Sequence, residues 1–429
     1  MSPYDARDRK RVSAGELPIH LTHRTHALVL AGGRGLRLEQ LTDWRAKPAM
    51  PFAGMLKIID FPLSNCVNSG IRRVSVLTQY KAQSLIRHIE RSWGFLGVNL
   101  DEFIEVVPAQ QRVDAGWYSG TADAVYQNVD ILCESDPEHV LVLAGDHVYK
   151  MDYGRMLADH VARNADITVA CIEVPCTSAG AFGVVRVDAD DRITEFEEKP
   201  TRPAALPGRP GYCLASMGIY VFDLAFLCGQ LKRDAADTAS SHDFGRDVIP
   251  YAVPRHRVMA HRYEDSCVNM VGERPYWRDV GTVDAYWEAN MDLTKVVPEL
   301  NLYDDQWPML GRQTQLPPAK FVFDDDGRRG VAIDSLVSNG CIVSGATVRR
   351  SILFSKARVG EHSVIEDSVV LPSAVVGRGV KLRRTVVDER CVLPDGLKVG
   401  FHPDEDRAHF HVTERGITLV TSAMLERQI

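Results

Sequence analysis

Short apolar runs, each halted by glycine or a polar residue, punctuate the first two-thirds of the chain. Ala27-Leu28-Val29-Leu30-Ala31 ends at Gly32-Gly33, and Val140-Leu141-Val142-Leu143-Ala144 ends at Gly145-Asp146. Val74–Thr78, Ile167–Cys171 and Ser216–Phe222 read the same way. A run of four to six apolar residues that stops at glycine predicts a buried strand entering a tight loop. Between several of these runs lie helix-like stretches, Lys81–Arg91, Ala122–Leu132 and Tyr153–Arg163. Strands alternating with helices predict an α/β layer with a mostly parallel, Rossmann-like sheet.

The texture changes near residue 295. Pro298, Pro308, Pro317 and Pro318 interrupt a stretch with little periodicity, which predicts a linker. Beyond it the helical pattern disappears and aliphatic residues recur every six positions. Leu353, Val359 and Ile365 form one series, and Val364, Val370, Val376 and Leu382 another; after a one-residue slip come Val387, Leu393 and Val399. A six-residue period with frequent glycine predicts a parallel β-helix of three repeats to a coil, with a β-sandwich as the alternative. The resulting division is an extension over 1–25, an α/β domain over 26–295, a linker over 296–328 and a β-helix over 329–429.

Composition narrows the class without naming the chemistry. The 429 residues carry 50 Lys and Arg against 57 Asp and Glu, a formal net charge of −7, and no basic block. Sequence-independent binding to nucleic acid is therefore not expected. No apolar run is long enough for a membrane span, and the polar start of the chain lacks the apolar core of a secretory signal. The nine Cys form no CxxC pair, so reduced and mostly buried thiols in a cytoplasmic protein are expected. Cys66, Cys171, Cys213 and Cys267 read as core residues. His20, His23 and His26 recur at every third position, and His409 and His411 flank Phe410; both groups read as structural.

Four loops carry candidate chemistry. In Leu30–Leu38 the glycines Gly32, Gly33 and Gly35 let backbone N–H groups approach a phosphate, while Arg34 and Arg37 add charge. The loop is neither a Walker A motif nor a complete dinucleotide fingerprint. With Arg45 and Lys47 just downstream, it reads as either a polyphosphate site or a structural turn. In Ala144-Gly145-Asp146-His147 an acid stands at the carboxyl end of a strand, where open α/β sheets bind ligands. Asp146 is either a helix cap or, with Asp279, half of a Mg²⁺ site. Glu197-Glu198-Lys199-Pro200 ends another strand-like stretch. Gly116–Ala124, with Trp117, Tyr118, Gly120 and Thr121, suits stacking on a base or sugar and a phosphate at a helix start.

In order along the chain stand Leu30–Leu38, Arg45–Pro48, Ile59–Asn65, Pro108–Arg112, Gly120–Ala124, Leu143–His147, Glu198–Pro200, Ala215–Phe222, Ser241–Gly245, Tyr276–Thr282 and Pro317–Phe321. With this series, over roughly residues 25–425, the chain resembles the ADP-glucose pyrophosphorylase (glucose-1-phosphate adenylyltransferase) family of bacterial glycogen synthesis. The resemblance implies a nucleotidyltransferase domain followed by a left-handed β-helix, a homotetramer and Mg²⁺. It implies that ATP and glucose 1-phosphate give ADP-glucose and pyrophosphate under the control of phosphorylated metabolites. It matches Arg34, Lys47, Asp146 and Asp279 to catalysis, the two acids holding the metal. Tyr118, Gly183, Glu198, Lys199 and Ser216 match contacts to the sugar substrate. Gly32, Gly33, Gly35, Arg37, Gln79, Gly120 and Thr121 match the nucleotide side, Gln79 and Trp117 also linking it to effector response. At the expected effector site, Arg45 is retained, but Trp44, Pro51, Lys57 and Glu389 depart from the enteric pattern. A response to a different metabolite, such as fructose 6-phosphate, or a weaker one is expected. The alternatives are a sugar-1-phosphate nucleotidyltransferase of another nucleotide preference and a regulatory subunit.

Overall fold

The apolar runs become neighbours in one sheet. The computed structural model describes residues 18–33, 35–96, 102–110, 117–269, 275–312 and 314–427. Among them nine strands share the main sheet: β1 (Thr25–Leu30), β2 (Arg73–Thr78), β3 (Phe103–Pro108), β4 (His139–Ala144), β5 (Ile167–Pro175), β6 (Gly183–Val187), β7 (Ile193–Glu198), β8 (Tyr212–Asp223) and β9 (Val258–Arg262). Their order is β7-β6-β8-β4-β1-β2-β3, with β5 joining β8 to β9. The β4-β1-β2-β3 half is parallel, so Ala31, Gly32 and Gly145 leave the sheet at the same edge. β8 runs antiparallel to β4 and brings the Gly218 turn to that edge. Both faces are buried, Ala27 and Val29 in one apolar cluster and Leu28 in the other, as unbroken apolar strands require.

Helices form at Gln83–Ser92 and Tyr153–Ala162, where the sequence pattern places them. The stretch from Ala122 to Leu132 is instead two short helices, Thr121–Tyr126 and Val129–Ser135. The break falls at Asn128, whose amide donates to the Ala124 carbonyl and the Tyr118 hydroxyl, a local alternative to helix continuation. His26 is core, held by Ser75 and Ser135. One expectation fails at the cysteines: Cys176 and Cys213 are paired as a disulfide between the end of β5 and β8. The pairing of Cys213 with Val174 across these strands brings Cys176 within bonding reach. The other seven cysteines are free thiols.

The C-terminal part is a left-handed parallel β-helix with three sheet faces. Its first strand, Lys320–Val322, pairs with Ile342–Ser344, so the β-helix starts inside the segment read as linker. The rest of that segment packs on the α/β domain: Trp307 Nε1 donates to Asn65, and Leu310 N to Ser64. The coil also differs from three even hexads. Ser368 N donates to Ser351 Oγ, Val380 N to Ser363 Oγ and Thr385 N to Ser368 Oγ, each across 17 residues. Every corner carries a residue with positive φ, and one step per coil is five residues rather than six: Gly345 to Arg350, His362 to Asp367 and Gly379 to Arg384. The slip read once from the sequence therefore recurs in successive coils. It puts Ile365, rather than Val364, in the buried line with Val359, Val370, Val376 and Leu382. Helix Ser422–Glu426 closes the open end with Met424 and Leu425.

A third apolar cluster belongs to both parts. Leu38, Met50, Phe52 and Tyr286 pack with Phe354, Leu371 and Leu419 of the β-helix. Ile365→Ala should lower stability by roughly 2–5 kcal/mol through the cavity it leaves. Val364→Ala, on the outer face, should cost less than about 1 kcal/mol. Urea unfolding of the two full-length variants checks the assigned register.

Candidate functional site

A cavity of about 750 Å³ opens at the sheet edge where the glycine-ended strands stop. Gly32, Gly33, Gly35 and Arg37 form one wall; Gln79, Tyr118, Gly120 and Thr121 form another; Lys47, Asp146 and Glu198 lie along it. Gly35 has φ 64° and stands so near Lys47 that a Cβ would come within 3.1 Å of the lysine Cβ. Glycine there provides both the left-handed turn and the room for Lys47. Arg34 lies outside the described residues.

The strongest electrostatic feature is Lys47. Its Nζ stands 2.9 Å from Asp146 Oδ2 and 2.6 Å from Asp279 Oδ1. Asp146 follows β4, whereas Asp279 ends the strand Trp277–Asp279, which pairs with His147–Tyr149 so that Asp279 lies opposite His147. Burial works against the lysine charge, but the two carboxylates hold its pKa above the ordinary value. Burial also works against Asp146, yet Lys47 and His147 keep its carboxyl well below the usual carboxylate range. Arg37 Nη2 reaches Asp279 Oδ2 at 3.5 Å. Of the two readings of Asp146, the helix cap is not the one seen; its carboxylate faces Lys47 and Asp279.

Asp146, His147 and Asp279 could place one ligand atom each around a cation. Two carboxylates supply the oxygen donors that Mg²⁺ prefers. Lys47 offsets only one of the two negative charges, and the His147 Nδ1 atom is buried without a hydrogen-bond partner. The donor set fits a hard divalent ion, which these acids would hold.

At the other end of the cavity Glu198 is 3.3 Å from Lys199 Nζ. Burial pushes the Glu198 carboxyl up, against the pull of Lys199. Gly183 and Gly245 leave the space that Glu198 fills: a Cβ at either would stand 2.9 or 2.6 Å from its Oε2. Two other expected residues are placed differently. Ser216 is buried and accepts from Gly218 N, so Gly218 and Tyr220, rather than Ser216, line the cavity. The helix start at Gly120-Thr121 has two of its first backbone donors already taken. Ala122 N and Asp123 N both donate to the His242 carbonyl, and Thr121 Oγ1 donates to Asp243. Gly120 lines the wall because a Cβ there would collide with the His242 carbonyl.

Sequence reading passed over Asp243, Gly245, Gly218 and Tyr220 as site residues. Ser241–Gly245 was visible as a motif, but Asp243 reaches the wall only through contacts over more than a hundred residues, such as that with Thr121.

The expected effector residues form a separate cluster at the junction of the two parts. Arg45 is 1% exposed; its guanidinium pairs with Asp388 and with Glu389 Oε1 at 2.7 Å. It also lies 4.3 Å from the Trp44 ring centre. Burial lowers the Lys57 pKa, with Glu389 and Asp60 opposing. Thus Glu389, one of the departures, occupies Arg45 directly.

Comparison with known proteins agrees with this architecture. Residues 26–296 match the family model for nucleotidyl transferase, and residues 317–420 match the GlmU-like, C-terminal hexapeptide model. The chain is 64% identical to the glucose-1-phosphate adenylyltransferase of Nitrosospira multiformis over 95% of this chain and 96% of the relative. It is 63% identical to that of Nitrosomonas europaea over 95% of each, and 62% identical to that of Methylobacillus flagellatus over 95% of this chain and 96% of the relative. The chain belongs to the glucose-1-phosphate adenylyltransferase family of nucleotidyl transferases.

Proposed function

We propose that this chain transfers the adenylyl group of ATP to glucose 1-phosphate, releasing pyrophosphate and forming ADP-glucose. The observation that carries the reading is a buried lysine clamped by two carboxylates beside a glycine loop. This is machinery for holding polyphosphate rather than for covalent catalysis. A phosphate oxygen of glucose 1-phosphate attacks the α-phosphorus of ATP. The new P–O bond forms as the bond to the bridging oxygen of the β-phosphate breaks, and pyrophosphate carries away the negative charge. Lys47 neutralises that charge, assisted by Arg34 and Arg37 of the glycine loop. Gly32, Gly33 and Gly35 bring backbone N–H groups to the nucleotide phosphates, and Gln79 borders the same space. Asp146 and Asp279 would hold Mg²⁺, which when bound supplies further charge neutralisation to the phosphates. Lys199 binds the sugar phosphate and Glu198 a sugar hydroxyl, with Tyr118 and Gly183 shaping that end.

Retention of Lys47, Asp146, Asp279 and Lys199 favours an active enzyme over a regulatory subunit. The preference for ATP over other nucleotides rests on the family likeness, and pyrophosphate release with each nucleotide in turn tests it. We place the chain in the cytoplasm as a homotetramer; no helix among the described residues is long and apolar enough to cross a membrane. Control by phosphorylated metabolites would act through the cluster at Trp44, Arg45 and Lys57. Because Asp388 and Glu389 already pair with Arg45, fructose 1,6-bisphosphate should activate weakly relative to fructose 6-phosphate. A saturating response to the bisphosphate comparable to that of the enteric type overturns this.

Asp146→Asn should reduce kcat by several orders of magnitude with the fold intact; near-normal turnover would sink the assignment. Glu198, with its raised pKa, takes up a proton before Asp146 as the pH falls. The KM for glucose 1-phosphate should therefore rise on the acidic side. Glu198→Gln should show a raised KM that no longer varies there, as measured in a pH series of initial rates.

A further inference from the structure

At the sheet edge opposite the glycine loops, three metal-ligating side chains converge. His139 is the first residue of β4 and Asp223 the last of β8, and the two are direct cross-strand partners. His160 reaches them from the helix Tyr153–Ala162, which packs on the sheet. His139 Nδ1 lies 3.0 Å from Asp223 Oδ1, and His160 Nε2 lies 3.5 Å from the same oxygen. The two imidazole rings meet edge to face, 5.5 Å apart. None of these residues borders the cavity that holds Lys47.

We propose that His139, His160 and Asp223 form a second metal site, selective for a divalent transition ion of the zinc class.

Two features separate the cluster from an ordinary His–Asp hydrogen bond. His160 is 2% exposed, and its buried Nε2, aimed at the carboxylate, makes no close hydrogen bond, its nearest contact being Asp223 Oδ1 at 3.5 Å. A buried polar atom held at so long a contact gains little from it, and a bound ion would satisfy it better. Its other nitrogen, Nδ1, is held 2.8 Å from the buried Thr168 hydroxyl. Such an outer bond fixes ring orientation in metal-binding histidines. Asp223 supplies the second feature. It stands at the N-cap of the helix Leu224–Ala235, where an aspartate ordinarily caps a backbone N–H, yet it makes no side-chain cap bond. Its carboxylate is turned to the imidazoles instead.

The spacing also suits the ion. Two ligands of a tetrahedral zinc at about 2.0–2.1 Å lie about 3.3 Å apart, and the observed separations fall on either side of that value. The Asp223 side chain is 36% exposed, which leaves an entry path and room for water as a further ligand. Two imidazoles and one carboxylate favour zinc, nickel or copper over Mg²⁺, so the ion of the reaction centre would not compete for this site. Its effect would be to pin the helix Tyr153–Ala162 to the edge of the sheet.

The test uses untagged full-length protein, stripped with a chelator and dialysed. Zinc is titrated by equilibrium dialysis, and cobalt by its visible absorption. Wild type and Asp146→Asn should both bind one zinc at this site and melt at a higher temperature with zinc than with chelator. His160→Gln and His139→Gln should lose at least about tenfold in affinity and most of the zinc-dependent shift, while turnover with ATP and glucose 1-phosphate stays unchanged. Equal zinc affinity in wild type and both histidine variants overturns the proposal, as does zinc binding that disappears with Asp146→Asn alone. If the histidine variants fold poorly, Asp223→Asn and the wild-type melts decide, and a wild-type melt that ignores zinc also overturns it.

Discussion

A buried ammonium group cannot stay charged alone, and this constraint organises the α/β domain. Lys47 is 5% exposed and is paired with carboxylates that arrive from far along the chain. Asp146 comes from the end of a central parallel strand, Asp279 from a strand paired beside His147. Removing either acid leaves a buried charge short of a partner, which costs far more than an exposed pair does. Lys47 and Asp146 line the cavity at the edge where the glycine-ended strands stop. The same interaction explains the glycine at position 35, where a side chain would press on Lys47.

A second buried cation links the two parts. Arg45 is enclosed by Asp388 and Glu389 of the β-helix, beside an apolar cluster to which both parts contribute. Arg45 and Lys47 are two residues apart, one facing the junction and the other the cavity. The junction and the cavity are therefore separated by a single residue of the chain, Ala46. With Glu389 in place, the β-helix supplies its own anion to Arg45.

The parallel strands, the glycine loop and the β-helix were legible because each is written in local periodicity. A buried strand needs an unbroken apolar run, a tight turn needs glycine, and a coil needs an aliphatic residue at every inward step. The finer register was not legible. A 17-residue coil differs from three hexads by one residue, and the difference lies in the shortened step that ends at Arg350, Asp367 and Arg384, which no residue type announces. The Cys176–Cys213 pair was hidden for a similar reason, since only strand pairing brings the two together.

By itself the sequence determined which segments are strands, which loops carry charge and which family the motif series resembles. These follow from side-chain type and spacing, properties that each residue carries wherever it lies. Only the tertiary structure decided which charges meet. It gave Lys47 two acids, Arg45 to the β-helix and the donors of the Thr121 helix to the His242 carbonyl. It also put His139, His160 and Asp223 around one point. Such encounters depend on long-range register, and a pair's free energy depends on burial and distance, neither of which a linear chain states.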